Sequence, residues 1–193
     1  MATFTDLGIL HHYFMQASIM RELVKACQKA GAPWLEVLDE LPEKSEFRDQ
    51  LVAMEFMRVI SIWYAMLYVV IEGYRELKLV DGQLDSLLAS KNVDQLRLYR
   101  NALFHFQKNY PESPKVFGVL NNEAFPDWAK RVHRAFDRFF SENFNQKLME
   151  LDPETLDDAE VDDGLRESWR IARALMLKVR ARHTQGGPSG EER

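Results

Sequence analysis

The sequence predicts an all-α protein: an up-and-down bundle of about four to five main helices with a C-terminal helical appendage. Three observations predict it. Apolar residues recur at spacings of three and four through most of the chain, the period of a helix that buries one stripe. The seven prolines and nine glycines are few and stand mostly between those periodic segments. No stretch of useful length alternates apolar and polar residues as a half-buried strand does.

At 193 residues, 46% of them hydrophobic and 11% aromatic, the chain has material for one full core plus a short appendage. Composition divides it into a bundle over residues 1–150, an acidic linker over 151–163, a basic amphipathic helix over 164–183 and a disordered tail over 184–193. The first helix is expected over about 5–30, with Thr5 as its cap, Asp6 favourable in its first turn, and Gly31-Ala32-Pro33 as its stop. Leu7, Leu10, Phe14, Ala17, Met20, Leu23 or Val24 and Cys27 give it a core stripe. His11 and His12 are adjacent, so their side chains diverge by about 100° and do not readily share a metal. They read as surface or packed histidines.

A short amphipathic piece over 34–41 ends at Pro42. The next long helix is expected over about 46–79 with Ser45 as a cap, and Ile60, Trp63, Tyr64, Leu67, Tyr68, Val70 and Ile71 nearly encircle it. A helix apolar on all sides is central in its domain or covered by a second subunit. Residues 59–71 are fewer than the roughly 20 a membrane span needs, and Arg58 and Glu72 bracket them, so a buried core helix is expected and no membrane contact. Glu72 either marks where this helix meets solvent, the reading slightly favoured, or pairs with a basic group elsewhere.

Asp81-Gly82 is a turn signal, followed by a short helical segment over 83–89. A helix over about 96–110 follows, with Asn92 or Asp94 as its cap, Leu96, Tyr99, Leu103, Phe106 and Tyr110 as its core stripe, and Pro111 and Pro114 as its stop. Residues 112–122 read as a loop carrying Lys115. The last long helix is expected from about 123 or 126 to 148, with Pro126 in its first turn. Trp128, Val132, Ala135 or Phe136, and Phe139 face inward there, while Lys130, Arg131, His133, Arg134 and Arg138 crowd the other faces.

A net charge of −5 argues against a protein that coats nucleic acid generally, though not against a local basic cleft. The lone Cys27 precludes an internal disulfide and a cysteine metal site, which fits a cytoplasmic setting, and it reads as a small buried apolar residue. The N-terminal residues carry no basic segment followed by an apolar one, so no signal peptide is expected.

The chemistry concentrates on the 96–110 helix. Arg97, Asn101, His105 and Lys108 form a stripe about 200° away from the apolar one, with Arg100 on its flank. Such a face usually carries Glu and Lys; this one offers only donors and an imidazole. Asn101 and His105 stand one turn apart, so the amide can bond the imidazole or a ligand that the imidazole also touches. A histidine exchanges protons near neutral pH, and an arginine fork matches a phosphate. Together they suit phosphodiester cleavage that needs no metal or other cofactor.

The segment Arg100-Asn101-Ala102-Leu103-Phe104-His105 resembles the R-x4–6-H motif of the HEPN superfamily (higher eukaryotes and prokaryotes nucleotide-binding domains), including a polar residue directly after the arginine. Its setting is also similar: a long apolar helix, a short linker, the motif helix, then another long helix, over about residues 46–144. The resemblance implies an all-α homodimer that brings two motifs into one cleft, and a metal-independent endoribonuclease of the kind found in toxin–antitoxin or antiviral systems. Arg100 and His105 would be its catalytic pair and Asn101 the supporting polar residue, with Arg97, Lys108 and Lys115 binding RNA. An antitoxin or other protein partner would accompany a toxin. Many superfamily members are inactive and serve as dimerisation, nucleotide-binding or protein-binding modules, which is the alternative expectation. Phosphate-binding glycine loops, the Glu-x-x-His pairing of di-iron bundles and a serine nucleophile elbow are all absent from the sequence.

Overall fold

A computed structural model describes residues 2–30, 46–106, 108, 116, 118–119, 121–150, 167, 170–171 and 174. Among these every regular element is helical, as the spacing of apolar residues requires. The expected piece over 34–41, Lys115, Tyr110, the acidic linker and the tail lie outside the described residues, as does most of the basic 164–183 segment. The chain divides into two compact units, Met1–Asp137 and Arg138–Arg193.

In the first unit α1 covers Phe4–Ala30 and α2 Glu46–Glu76. Helix α3 covers Gly82–Leu88, α4 Asn92–Phe104, and α5 begins at Phe125 and ends at Phe140. Helix α1 starts one residue earlier than its sequence suggests, and its cap lies two residues earlier. Thr3, not Thr5, receives the Asp6 N–H on its hydroxyl at 3.1 Å, while the Thr3 N–H donates to the Asp6 carboxylate at 2.8 Å. This reciprocal pair satisfies two donors at the helix start, and it holds the Asp6 carboxyl below the usual carboxylate range.

Helix α2 is the axis of the unit. Val59, Trp63, Tyr64, Leu67, Tyr68, Val70, Ile71 and Tyr74 are all buried on it, as an all-round apolar helix must be. It packs on α1 and α4. Its rings meet α5 at Tyr64–Phe125 and Tyr74–Phe136, with centroids 5.1 and 5.7 Å apart. The Tyr74 hydroxyl donates to Asp85 of α3 at 2.9 Å. Phe56–Glu76 has the length and composition of a membrane span, longer than the 59–71 run suggested, and half of its apolar window is buried inside the protein.

The end of α2 has an unusual cap. The N–H of Lys78 bonds Arg75 O and that of Leu79 bonds Tyr74 O, a Schellman closure that normally places glycine where Lys78 stands. Lys78 adopts φ 52°, the left-handed region in which a Cβ is strained. Lys78→Gly is therefore expected to raise stability by about 1 kcal/mol. A thermal melt no higher than that of the parent would contradict this.

Helix α3 is capped by Asp81, whose side chain accepts from the N–H groups of Gln83 and Leu84. Ahead of α4, Ser90 Oγ takes the Asn92 N–H at 3.2 Å. Asn92, one of the caps expected from sequence, is instead buried and accepts from Asn122 at 3.1 Å. Val93, Leu96, Tyr99 and Ala102 form the buried stripe of α4, and the Tyr99 hydroxyl bonds Ser61 of α2. On α5, Trp128, Val132, Ala135 and Phe136 are buried as their spacing predicts, and the Trp128 indole donates to Leu87 O at 3.0 Å. Cys27, expected to be buried, is half-buried.

His133 corrects the sequence reading most sharply. It was expected among the basic residues on the outer faces of α5; it is 2% exposed. Its Nδ1 accepts from the Trp63 indole at 3.3 Å, its Nε2 lies 3.3 Å from Ser18 Oγ, and Phe14 stacks at 4.9 Å. An Nδ1 that accepts carries no proton, so the ring is neutral with its proton on Nε2. Burial, then the charges of Arg21 and Lys25, push its pKa down to about 3. The signal was in the sequence: His133 follows Ala129 by four and precedes Phe136 by three, both of the core stripe.

In the second unit the end of α5 passes into a π-helical turn at Ser141–Asn145 and then into α6, Gln146–Glu150. Arg138 and Glu142 pair at 2.7 Å, and the Asn143 amide donates to Phe139 O at 2.9 Å. Phe144 and Leu148 are buried. Of the basic segment, Glu167, Arg170, Ile171 and Ala174 are helical and exposed.

Candidate functional site

The donor-rich helix is shorter than its periodicity implies. Helix α4 ends at Phe104, and His105 turns to extended backbone at φ −118°, ψ 134°. Only its N–H still follows the helix, donating to Asn101 O at 3.1 Å. A terminal turn persists where buried contacts offset the cost of ordering it. The packed stripe of α4 stops at Ala102, so the turn with His105 and Phe106 has no buried anchor. Phe106, expected in the core stripe, is 90% exposed. The His105 ring therefore does not stack one turn above Asn101 on a helical face, as the spacing suggested; it lies in the exposed segment just past the helix end.

Arg100 points toward α2. Its Nη1 donates to Asn101 Oδ1 at 3.0 Å, its Nη2 lies 3.5 Å from Glu72 Oε2, and its guanidinium carbon sits 5.8 Å from the centre of the Tyr68 ring. Glu72 thus meets both of its sequence readings: it is exposed where α2 reaches solvent, and it pairs with the motif helix. Glu72 follows Tyr68 by one turn of α2, so carboxylate and ring reach the same arginine. The buried Nε of Arg100 has no hydrogen-bond partner.

The surroundings of Tyr68 describe the local field. Burial pushes the tyrosine pKa up and Glu72 adds to that, while Arg97, Arg75 and Arg100 oppose it. Arg97, Arg75 and Arg100 thus stand around this ring at the junction of α2 and α4, with Glu72 opposing them. Arg75 is anchored to Leu88 O at 2.9 Å, and Arg97 makes an exposed ion pair with Asp94 at 3.6 Å. Lys108 is exposed in a turn.

Of the residues the sequence singled out, the structure joins Arg100 to Asn101 directly and sets Arg97 on the same exposed side of α4. Sequence reading did not single out Tyr68 or Phe104. Phe104 follows Arg97 by seven and Asn101 by three, so it falls on the donor stripe, a relation visible in the spacing alone. Among the described residues no group of three His, Cys, Asp or Glu side chains is placed to hold a metal ion. Compared with protein-family models, with curated proteins and with solved structures, the chain finds no match.

Proposed function

We propose that this protein is a HEPN-like, metal-independent endoribonuclease that acts in the cytoplasm as a homodimer, with Arg100, Asn101 and His105 at its reacting centre. The observation that carries this reading is the guanidinium of Arg100, oriented by Asn101 and Tyr68 but weakly held by Glu72. A part-exposed ion pair of that kind is worth about 0–1 kcal/mol, so a phosphodiester can take the place of the carboxylate. In the reaction the RNA 2′-oxygen attacks phosphorus and the 5′-oxygen leaves, giving a 2′,3′-cyclic phosphate and a free 5′-hydroxyl. One His105 takes the 2′-hydroxyl proton and its twofold mate returns a proton to the leaving oxygen, while Arg100 stabilises the charge on the phosphorane.

Arg100→Ala is expected to lower cleavage of RNA in EDTA by about 10²–10³-fold, the cost of removing one preorganised donor to a developing charge. Absence of cleavage by clean wild-type protein, or equal rates for the two, would refute the reading. A second reading, a non-catalytic dimerisation or binding module, draws support from the bonds Arg100 already makes to Asn101 and Glu72 within the chain. Under it, Arg100→Ala changes melting temperature or dimerisation, measured by light scattering, and no RNA is cut by any form.

A further inference from the structure

We infer that Phe104 and Phe106 form a platform on which the bases of single-stranded RNA stack while Arg97 and Arg100 hold its phosphates. This rests on the RNA-cleaving reading above and extends it to Phe104 and Phe106, which take no part in the chemistry. Phe14, Phe125, Phe136, Phe139, Phe140 and Phe144 are all buried, whereas Phe104 is 58% and Phe106 90% exposed. These two rings flank His105 on either side in sequence. On α4, positions 97, 101 and 104 fall within about 60° of one another, so the ring of Phe104 ends a stripe that begins with a guanidinium and continues with a carboxamide. Lys108, two residues past Phe106, adds an exposed cation on the other side of the histidine.

Aromatic faces interleaved with cations are how proteins hold single strands. Every base offers a face to stack on, and the cations follow the backbone. Duplex RNA cannot use such a platform, because its bases are already stacked on each other. The exposed cations Arg97 and Lys108 beside the rings favour a polyanion, here a nucleic acid strand, as the occupant of this surface.

The test uses a 2′-O-methyl oligoadenylate of about twelve nucleotides, which cannot be cut, with 2-aminopurine replacing one base. The wild-type protein should bind it more tightly than a duplex of equal length and quench the 2-aminopurine. Phe106→Ala should weaken binding about tenfold or more and abolish the quench. Phe106→Trp should retain both, Phe106→Leu should not, and the affinity of all forms for inorganic polyphosphate should be equal. Unchanged binding by Phe106→Ala, or full binding by Phe106→Leu, overturns the platform while leaving the cleavage reading intact if the wild type still cuts RNA. Loss of the dimer in Phe106→Ala, read by light scattering, overturns it in favour of a second copy on this surface. A wild type that binds no single strand overturns the platform, and the cleavage reading falls with it only if the same protein also cuts no RNA.

Discussion

Replacing His105 with alanine is expected to lower the rate of RNA cleavage about 10²–10⁴-fold, the range that a positioned proton-transfer group contributes. The effect should fall on kcat, because proton transfer develops in the transition state and contributes little to ground-state binding. His105 is exposed and lies past the end of α4 in extended backbone that alanine adopts freely, so the fold should not change. The melting temperature of the variant is the control: its stability should stay within about 0.5 kcal/mol of the parent, because His105 caps α4 through its backbone N–H, which alanine keeps. A comparable loss of stability would assign His105 a structural role. Cleavage at the parental rate would remove it from the mechanism, and the proton would then have to be carried by another group.

The second large effect is on stability against pH. His133 is neutral in the fold with its pKa at about 3, and burial, helped by the nearby His12 charge, lowers that of His11 to about 4. Both are near 6.5 in the unfolded chain. Between those values the unfolded state binds more protons than the native one, so stability is fully present above about pH 7 and is lost as the pH falls toward 3. At pH 5 His133 alone should account for roughly 2 kcal/mol. Asp6, whose carboxyl is held below its ordinary value, adds its own loss only at lower pH, so the window from 7.5 to 5 isolates the histidines. Urea unfolding followed by circular dichroism at those two values measures the difference. His133→Gln should be less stable at pH 7.5, since it breaks up the Trp63 and Ser18 contacts, and should lose less stability on going to pH 5. A variant with the same pH dependence as the parent would show that His133 does not govern it.

The two histidines illustrate what was legible in the sequence and what was not. His105 stood out because it closes a run of donors behind an arginine, and the run is a local feature. His133 stands in a run of five basic or titratable positions on α5, and charge composition alone put it outside. Its position between Ala129 and Phe136 argued the other way, and the partners that decide the matter, Trp63 and Ser18, come from α2 and α1. A buried imidazole is tolerable only where such partners satisfy it, and partners distant in sequence leave no local trace. The same holds for Glu72, whose spacing from Tyr68 is local but whose pairing with Arg100 depends on how α2 and α4 cross.

By itself the sequence determined the helical class, the number and order of the main helices, the core stripes of α2 and α5, and the choice of Arg100, Asn101 and His105 as the group to examine. Those are properties of spacing, fixed by the 3.6-residue period of the helix and by which residues terminate it. Tertiary structure alone decided where α4 stops, which turned Phe106 from a core residue into an exposed ring and took His105 off the helical face. It also decided that Arg100 meets Glu72 and Tyr68, and that His133 is inside. The physical reason is common to all three. Period sets which residues share a face, but a face is buried, paired or left to solvent according to the surface that another helix brings against it.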